Sequence, residues 1–198
     1  RPTTGRHAQA CAGRARRHRR RGLRAPTGLR RHRWPTTGDG PRAAASLVQR
    51  LQAEYPEHQI LLTHTTPTGR EASEQLYGDK VLRIYLPYDY PFAVRRFLRH
   101  FRPQVGVLLE TEIWFNLINQ CSNSKTPLLL LNARLSEKSA AAYGRFPRLT
   151  RSGLSQLSAI AAQSKEDAAR ISTLGAHNIS VMGNLKYDIK PPPDMLES

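Results

Sequence analysis

From about residue 42 onward the apolar residues fall into two alternating patterns, short continuous blocks and longer stretches that carry one apolar stripe. In A-A-A-S-L-V-Q-R-L-Q-A-E-Y, the residues Leu47, Val48 and Leu51 recur at helical spacing among good helix formers, and the stretch stops before Pro56. I-L-L-T-H-T (60–65) predicts a strand, T-P-T-G-R turns the chain, and residues 70–77 predict a second helix. V-L-R-I-Y-L (81–86) is the next predicted strand, followed by P-Y-D-Y-P and a helix with Phe92, Val94, Phe97, Leu98 and Phe101 on one face. V-G-V-L-L-E (105–110) is the continuous apolar run expected of a strand covered on both faces. A helix from Ile113 to about Cys121 comes next, then the strand P-L-L-L-L-N from Pro127 and helical text over 136–156. S-A-I-A-A-Q (158–163) predicts another strand. Ser164 and Asp167 have the spacing of a capping box opening a helix to about Leu174, with Gly175 as its stop. N-I-S-V-M-G (178–183) is the last predicted strand.

Strands alternating with helices in this way specify an α/β protein with a parallel, doubly wound sheet. In such sheets ligands bind outside the carboxyl ends of the strands. The residues expected there are Thr66 to Gly69, Tyr88 and Asp89, Glu110 to Glu112, Asn132 to Arg134, Gln163 and Ser164, and Asn184 to Lys186. Taken singly, each has a plainer reading: T-P-T-G as a turn, Asn132 and Ser136 as helix caps, Lys186 as a surface lysine. Their coincidence on one rim, offering carboxylate, guanidinium, ammonium, amide and hydroxyl groups, favours one site. Glu110 closes an apolar strand, so it is expected either to pair with a cation such as Arg134 or Lys186 or to have a raised pKa. Glu112 is placed to favour the positive end of the next helix. His58 and His64 read as structural or solvated rather than catalytic.

Composition matters most before residue 42. Residues 1–42 hold 13 Arg, no Lys and one acid, Asp39, so +12 of the formal +16 charge lies there and +4 in the rest. Three readings stand side by side. Clustered Arg suits nucleic acid, a self-repelling run suits a passive tail, and Arg, Ala, Gly and Pro are what a GC-rich gene yields in the wrong frame. Cys11 and Cys121 lack metal-ligand spacing, and no disulfide framework is indicated. No run approaches a membrane span, and no signal-peptide core is visible. The motifs of dinucleotide oxidoreductases, P-loop kinases and α/β-hydrolases are absent, and no metal or cofactor is expected. Sugar and nucleotide-sugar chemistry stays open.

The ordered motifs T-H-T-T-P-T-G, Y-L-P-Y-D, E-T-E-I-W-F-N, N-A-R-L-S-x-x-S-A-x-x-Y and G-N-L-K-Y-D, over roughly 42–190, resemble the N-terminal half of bacterial 3-deoxy-D-manno-octulosonic acid (Kdo) transferases. The resemblance implies a Rossmann-like N-terminal, acceptor-side domain of a GT-B glycosyltransferase. It also implies transfer of Kdo from CMP-Kdo to the lipid A precursor (lipid IVA), at the cytoplasmic face of the inner membrane, with no nucleic-acid partner. By motif, Glu110 and Lys186 match positions assigned to transition-state stabilisation, and Thr66, Thr68, Gly69, Asn132 and Arg134 match motifs lining the same cleft. Phe115 stands where the family motif usually has Pro. The family's general-base Glu aligns with Gly40, and its first strand and membrane anchor should fall in the anomalous segment 1–41. The expectation is therefore a domain over 42–190 lacking its first strand, prone to aggregation, with 191–198 entering an interdomain linker and the CMP-Kdo domain absent. Such a fragment is expected to be inactive.

Overall fold

The computed structural model describes residues 44–110 and 113–183. In chain order the elements are α1 (Ala45–Glu54), β1 (Leu61–His64), α2 (Pro67–Tyr77), β2 (Leu82–Tyr85), α3 (Pro91–Phe101), β3 (Gly106–Leu109), α4 (Phe115–Asn123), β4 (Leu128–Ala133), α5 (Glu137–Gly144), α6 (Pro147–Leu154), β5 (Ala159–Ala162), α7 (Lys165–Thr173) and β6 (Ile179–Val181). A single 3-10 turn, Gly78–Lys80, links α2 to β2.

Local chemistry accounts for most boundaries. Proline opens α2, α3 and α6, where its missing N–H costs nothing and its fixed φ suits the first turn. Thr66 caps α2 by accepting from Gly69 N, so this helix begins earlier than the expected residue 70, inside the T-P-T-G turn itself. Ser136 caps α5 through Ser139 N, and Ser164 caps α7 through Asp167 N, as the spacing predicts. The helical text over 136–156 divides into α5 and α6 because Pro147 cannot continue the first helix.

Every strand pairing is parallel, β1 with β2 and β3-β4-β5-β6 in sequence. The expected single sheet is thus two hydrogen-bonded groups among the described residues. They nevertheless form one layer, because alternate residues of β1 and β3 feed the same two cores. Leu61 and Leu108 join Phe97, Leu117, Leu130 and Ile160 on one face, while Leu62, Val107 and Leu109 join Val48, Tyr77 and Val81 on the other. β1 and β3 are buried along their whole length, as their continuous apolar runs require. The strand expected ahead of Arg42 lies outside the described residues.

Helix α3 shows the amphipathic pattern most plainly. Val94, Phe97, Leu98 and Phe101 are buried, while Arg95, Arg96 and Arg99 face outward. Cys121 of α4 is fully buried, and burial pushes its thiol up to about 12, so it is an inert core residue.

Candidate functional site at the carboxyl edge of the sheet

Adjacent strands β3 and β4 end side by side, with Leu109 paired to Leu131. The next residues are Glu110 and Asn132, and both take left-handed backbone conformations, at φ 60 and φ 56. The Glu110 N–H still donates to Leu131 O at 2.9 Å, so the ladder runs up to the point where the chain turns. Left-handed geometry is tolerated by Asn and costs Glu on the order of 1 kcal/mol, which is why such positions gather where a side chain must be aimed. A bulge between Leu130 and Ala133 accompanies the turn at Asn132. Asn132 is 1% exposed, and its carbonyl accepts from Gln163 Nε2 at 3.4 Å, which joins the ends of β4 and β5.

The loop after Asn132 is held from below. Asp167 is buried; its Oδ1 accepts from Leu135 N at 2.8 Å, and its Oδ2 accepts from Ser164 Oγ at 2.9 Å. Arg170 donates to Leu135 O at 3.2 Å and lies 3.6 Å from both Asp167 and Glu137. Both backbone groups of Leu135 are therefore fixed by α7, which sets the path of N-A-R-L. Arg134 itself is exposed on that loop.

At the end of β1, Thr66 and Thr68 are exposed, and Gly69 is buried against the strand. A Cβ at Gly69 would make a tight 3.2 Å contact with Thr66 Oγ1, the atom that caps α2, and an ordinary 3.7 Å contact with His64 Nδ1. His64 is 2% exposed, with Nε2 3.0 Å from Ser73 Oγ. Ser73 spends its only proton on Arg70 O at 2.8 Å, so His64 must carry its proton on Nε2. Burial, followed by the charges of Arg70 and Arg83, lowers its pKa to about 4. The ring is therefore neutral at ordinary pH.

Asp89 follows β2 as expected, and its carboxylate is consumed as the cap of α4. Oδ2 accepts from Asn116 N at 3.0 Å and Oδ1 from Leu117 N at 2.9 Å, while Asn116 Nδ2 donates to Asp89 O. Trp114, at the N-cap position, offers no side-chain cap, so a carboxylate from the preceding loop fills the role. Among the described residues no ion pair joins Glu110 to Arg134, and Lys186, the other cation expected for it, lies outside them. Glu110 and Asn132 are brought together, whereas Thr66, Thr68 and Gly69 belong to the other hydrogen-bonded group of strands. Phe115, in place of the usual Pro, is the first residue of α4, and its ring lies over Gly153 of α6. Lys186, Gly40, Glu112, the Arg-rich segment 1–41 and the linker 191–198 lie outside the described residues, and the nucleic-acid reading rests on that segment. Among the described residues no cluster of three or more His, Cys, Asp or Glu could hold a metal, and no helix is long and apolar enough to cross a membrane.

The sequence reading missed Asp167 as an anchor of the β4–α5 loop, although its capping-box spacing with Ser164 was visible. Nothing local marks Asp89, because its partners lie 27 and 28 residues away.

A layered parallel sheet flanked by helices, with polar strand ends on one edge, is a Rossmann-like α/β arrangement. Solved structures of that architecture match: UDP-GlcNAc 2-epimerase from Neisseria meningitidis aligns with a TM-score of 0.57 at 16% identity, over 80% of this chain and 48% of the other. MurG from Acinetobacter baumannii aligns with a TM-score of 0.52 at 13% identity, over 83% of this chain and 47% of the other. These likenesses concern the fold. Residues 39–189 match the family described as 3-Deoxy-D-manno-octulosonic-acid transferase (kdotransferase), and the chain belongs to that family. The 3-deoxy-D-manno-octulosonic acid transferase of Haemophilus influenzae is 40% identical over 156 residues, 78% of this chain and 36% of that protein. The enzyme of the same name from Bordetella pertussis is 39% identical over 186 residues, 89% of this chain and 42% of that protein. The chain thus spans about two fifths of the length of these relatives.

Proposed function

We propose that these residues form the acceptor-side half of a glycosyltransferase that moves Kdo from CMP-Kdo to lipid IVA at the cytoplasmic face of the inner membrane. Glu110 and Lys186 stabilise the transition state in this reading. The departing sugar develops positive, oxocarbenium character, which a carboxylate at a fixed strand end favours, and the leaving CMP phosphate develops negative charge, which an ammonium favours. Thr66, Thr68, Gly69, Asn132 and Arg134 line the cleft around them.

The observation that carries the reading is the pair of left-handed residues, Glu110 and Asn132, at neighbouring strand ends. A carboxylate held on a strained, hydrogen-bonded backbone is pre-aimed, and electrostatic stabilisation depends on such pre-organisation. An amphiphilic acceptor also suits the surface beside β2, where Tyr88, Tyr90 and Phe92 are 83%, 58% and 73% exposed.

The 198-residue chain by itself is inactive in this proposal, because Gly40 stands where the family's general base is aligned. Incubating the chain with CMP-Kdo and lipid IVA is expected to yield no transfer above background; measurable transfer overturns the inactivity. In a full-length enzyme containing this half and the base, Glu110→Gln should lower kcat by roughly 10²- to 10³-fold with little change in KM. An unchanged kcat would remove Glu110 from the mechanism.

A further inference from the structure

At the other edge of the sheet, beneath the carboxyl ends of α3 and α4, lies an open groove of about 790 Å³ whose walls include Arg95, Arg99, Arg102, Gln120, Asn123 and Thr126. It faces away from Glu110, since Thr126 precedes β4 and Pro103 precedes β3, whereas Glu110 follows β3 and Asn132 lies near the carboxyl end of β4. The charge there is one-sided. Between Pro91 and Leu109, and again between Ile113 and Ser136, the sequence contains no acid. Arg95, Arg99 and Arg102 are all exposed, and among the described residues none of them meets a carboxylate.

Compensation of the α3 helix dipole accounts for part of this. Arg99 is in the last turn, and Arg102 is the C-cap, in a left-handed conformation at φ 44. It does not account for Arg95, which lies farther up the helix and turns its Nε toward Gln120 Oε1 at 3.4 Å. Gln120 is only 8% exposed, yet it lines the groove. Its carbonyl oxygen accepts from Arg95, which holds that guanidinium against the groove wall. Ser124 and Thr126 do not add donors, because their hydroxyls are 3.1 Å apart and Ser124 Oγ also bonds Cys121 O. Three guanidiniums, with no carboxylate among the described residues of the lining, make a cationic surface.

We propose that this groove is a binding site for phosphoryl groups, separate from the rim at Glu110. Planar guanidinium forks take phosphate oxygens in bidentate fashion, and a phosphoryl anion relieves the mutual repulsion of the three arginines. The volume falls within the range of small-molecule sites, which suits a diphosphate or phosphomonoester, free or as a lipid headgroup.

Pyrophosphate titrated into the ¹⁵N-labelled full chain at near-physiological salt tests this, read at the Asn123 and Thr126 amides and the Gln120 side chain. The expected result is saturable shifts there, weakened at least tenfold by the double variant Arg99→Gln with Arg102→Gln. A charge-matched control, Arg145→Gln with Arg148→Gln, should change affinity less than twofold. No shift at the groove amides, or equal weakening by both double variants, overturns the site and leaves only diffuse attraction to a +16 chain. Once the groove is confirmed, vesicles of phosphatidylglycerol or phosphatidylcholine separate the sources. Anionic-vesicle binding lost in the groove variant and displaced by pyrophosphate supports a headgroup; vesicle binding indifferent to the variant supports a soluble phosphate.

Discussion

Asp167 Oδ1 accepts from Leu135 N at 2.8 Å, a bond between α7 and the loop that carries Arg134 past the end of β4. The carboxylate is buried, also accepts from the Ser164 hydroxyl, and lies 3.6 Å from Arg170. Replacing Asp167 with Ala should leave a buried Leu135 N–H unsatisfied and cost about 2–4 kcal/mol, measured by urea unfolding. Glu137→Gln is the control, because its 88% exposed side chain should contribute under about 0.5 kcal/mol to its pair with Arg170. Equal losses for the two variants would deny Asp167 its anchoring role.

Asp89 satisfies two N–H groups of α4 that no local residue reaches. Asp89→Ala is expected to cost about 1–2 kcal/mol and to raise hydrogen exchange at the Asn116 and Leu117 amides, with Asp89→Asn recovering part of the loss. Unaltered exchange at those two amides would show that the cap is dispensable.

His64 links stability to pH. Its folded pKa of about 4 lies below the ordinary value of 6.5, so the unfolded chain binds the proton more tightly. Stability from keeping this ring neutral is complete above about 6.5 and is lost as the pH falls from there through 4. The loss should be on the order of 1–3 kcal/mol, and His64→Gln should flatten that part of the pH profile of urea midpoints. A wild-type profile of the same slope as the variant's would count against it.

Gly153 is where α6 accepts the Phe115 ring, and a Cβ there would lie 2.6 Å from Phe115 Cδ1. Gly153→Ala should cost about 1–3 kcal/mol despite alanine's better helix propensity. Combining it with Phe115→Leu should cost less than the two single changes added together, because the smaller side chain vacates the clash. Strict additivity in thermal or urea unfolding would place the ring elsewhere.

The order and type of the elements were legible because they depend on short-range features. Apolar blocks became β1 to β6, Pro147 divided one helical stretch into two, and the Ser164–Asp167 spacing became a cap. Glu110 and Asn132 were legible as strand-end residues for the same reason. Their shared left-handed geometry was not, since φ at such positions is imposed by the turn out of a paired ladder rather than by residue type. Asp89 was legible as a residue following β2, but its use as the cap of α4 was not, because a free carboxylate and a distant helix cap look the same in one dimension.

The sequence by itself determined the α/β class, the parallel pairing and the edge that gathers the polar strand ends, because periodicity, capping and strand direction are encoded within a few residues of each other. Tertiary structure alone decided how each polar group is spent. Asp89 and Asp167 go to backbone N–H groups 27 to 32 residues away, His64 is neutralised by burial, and Glu110 stays free of Arg134 among the described residues. Those outcomes depend on which elements pack together, and a buried polar group takes whichever partner the packing brings within about 3 Å.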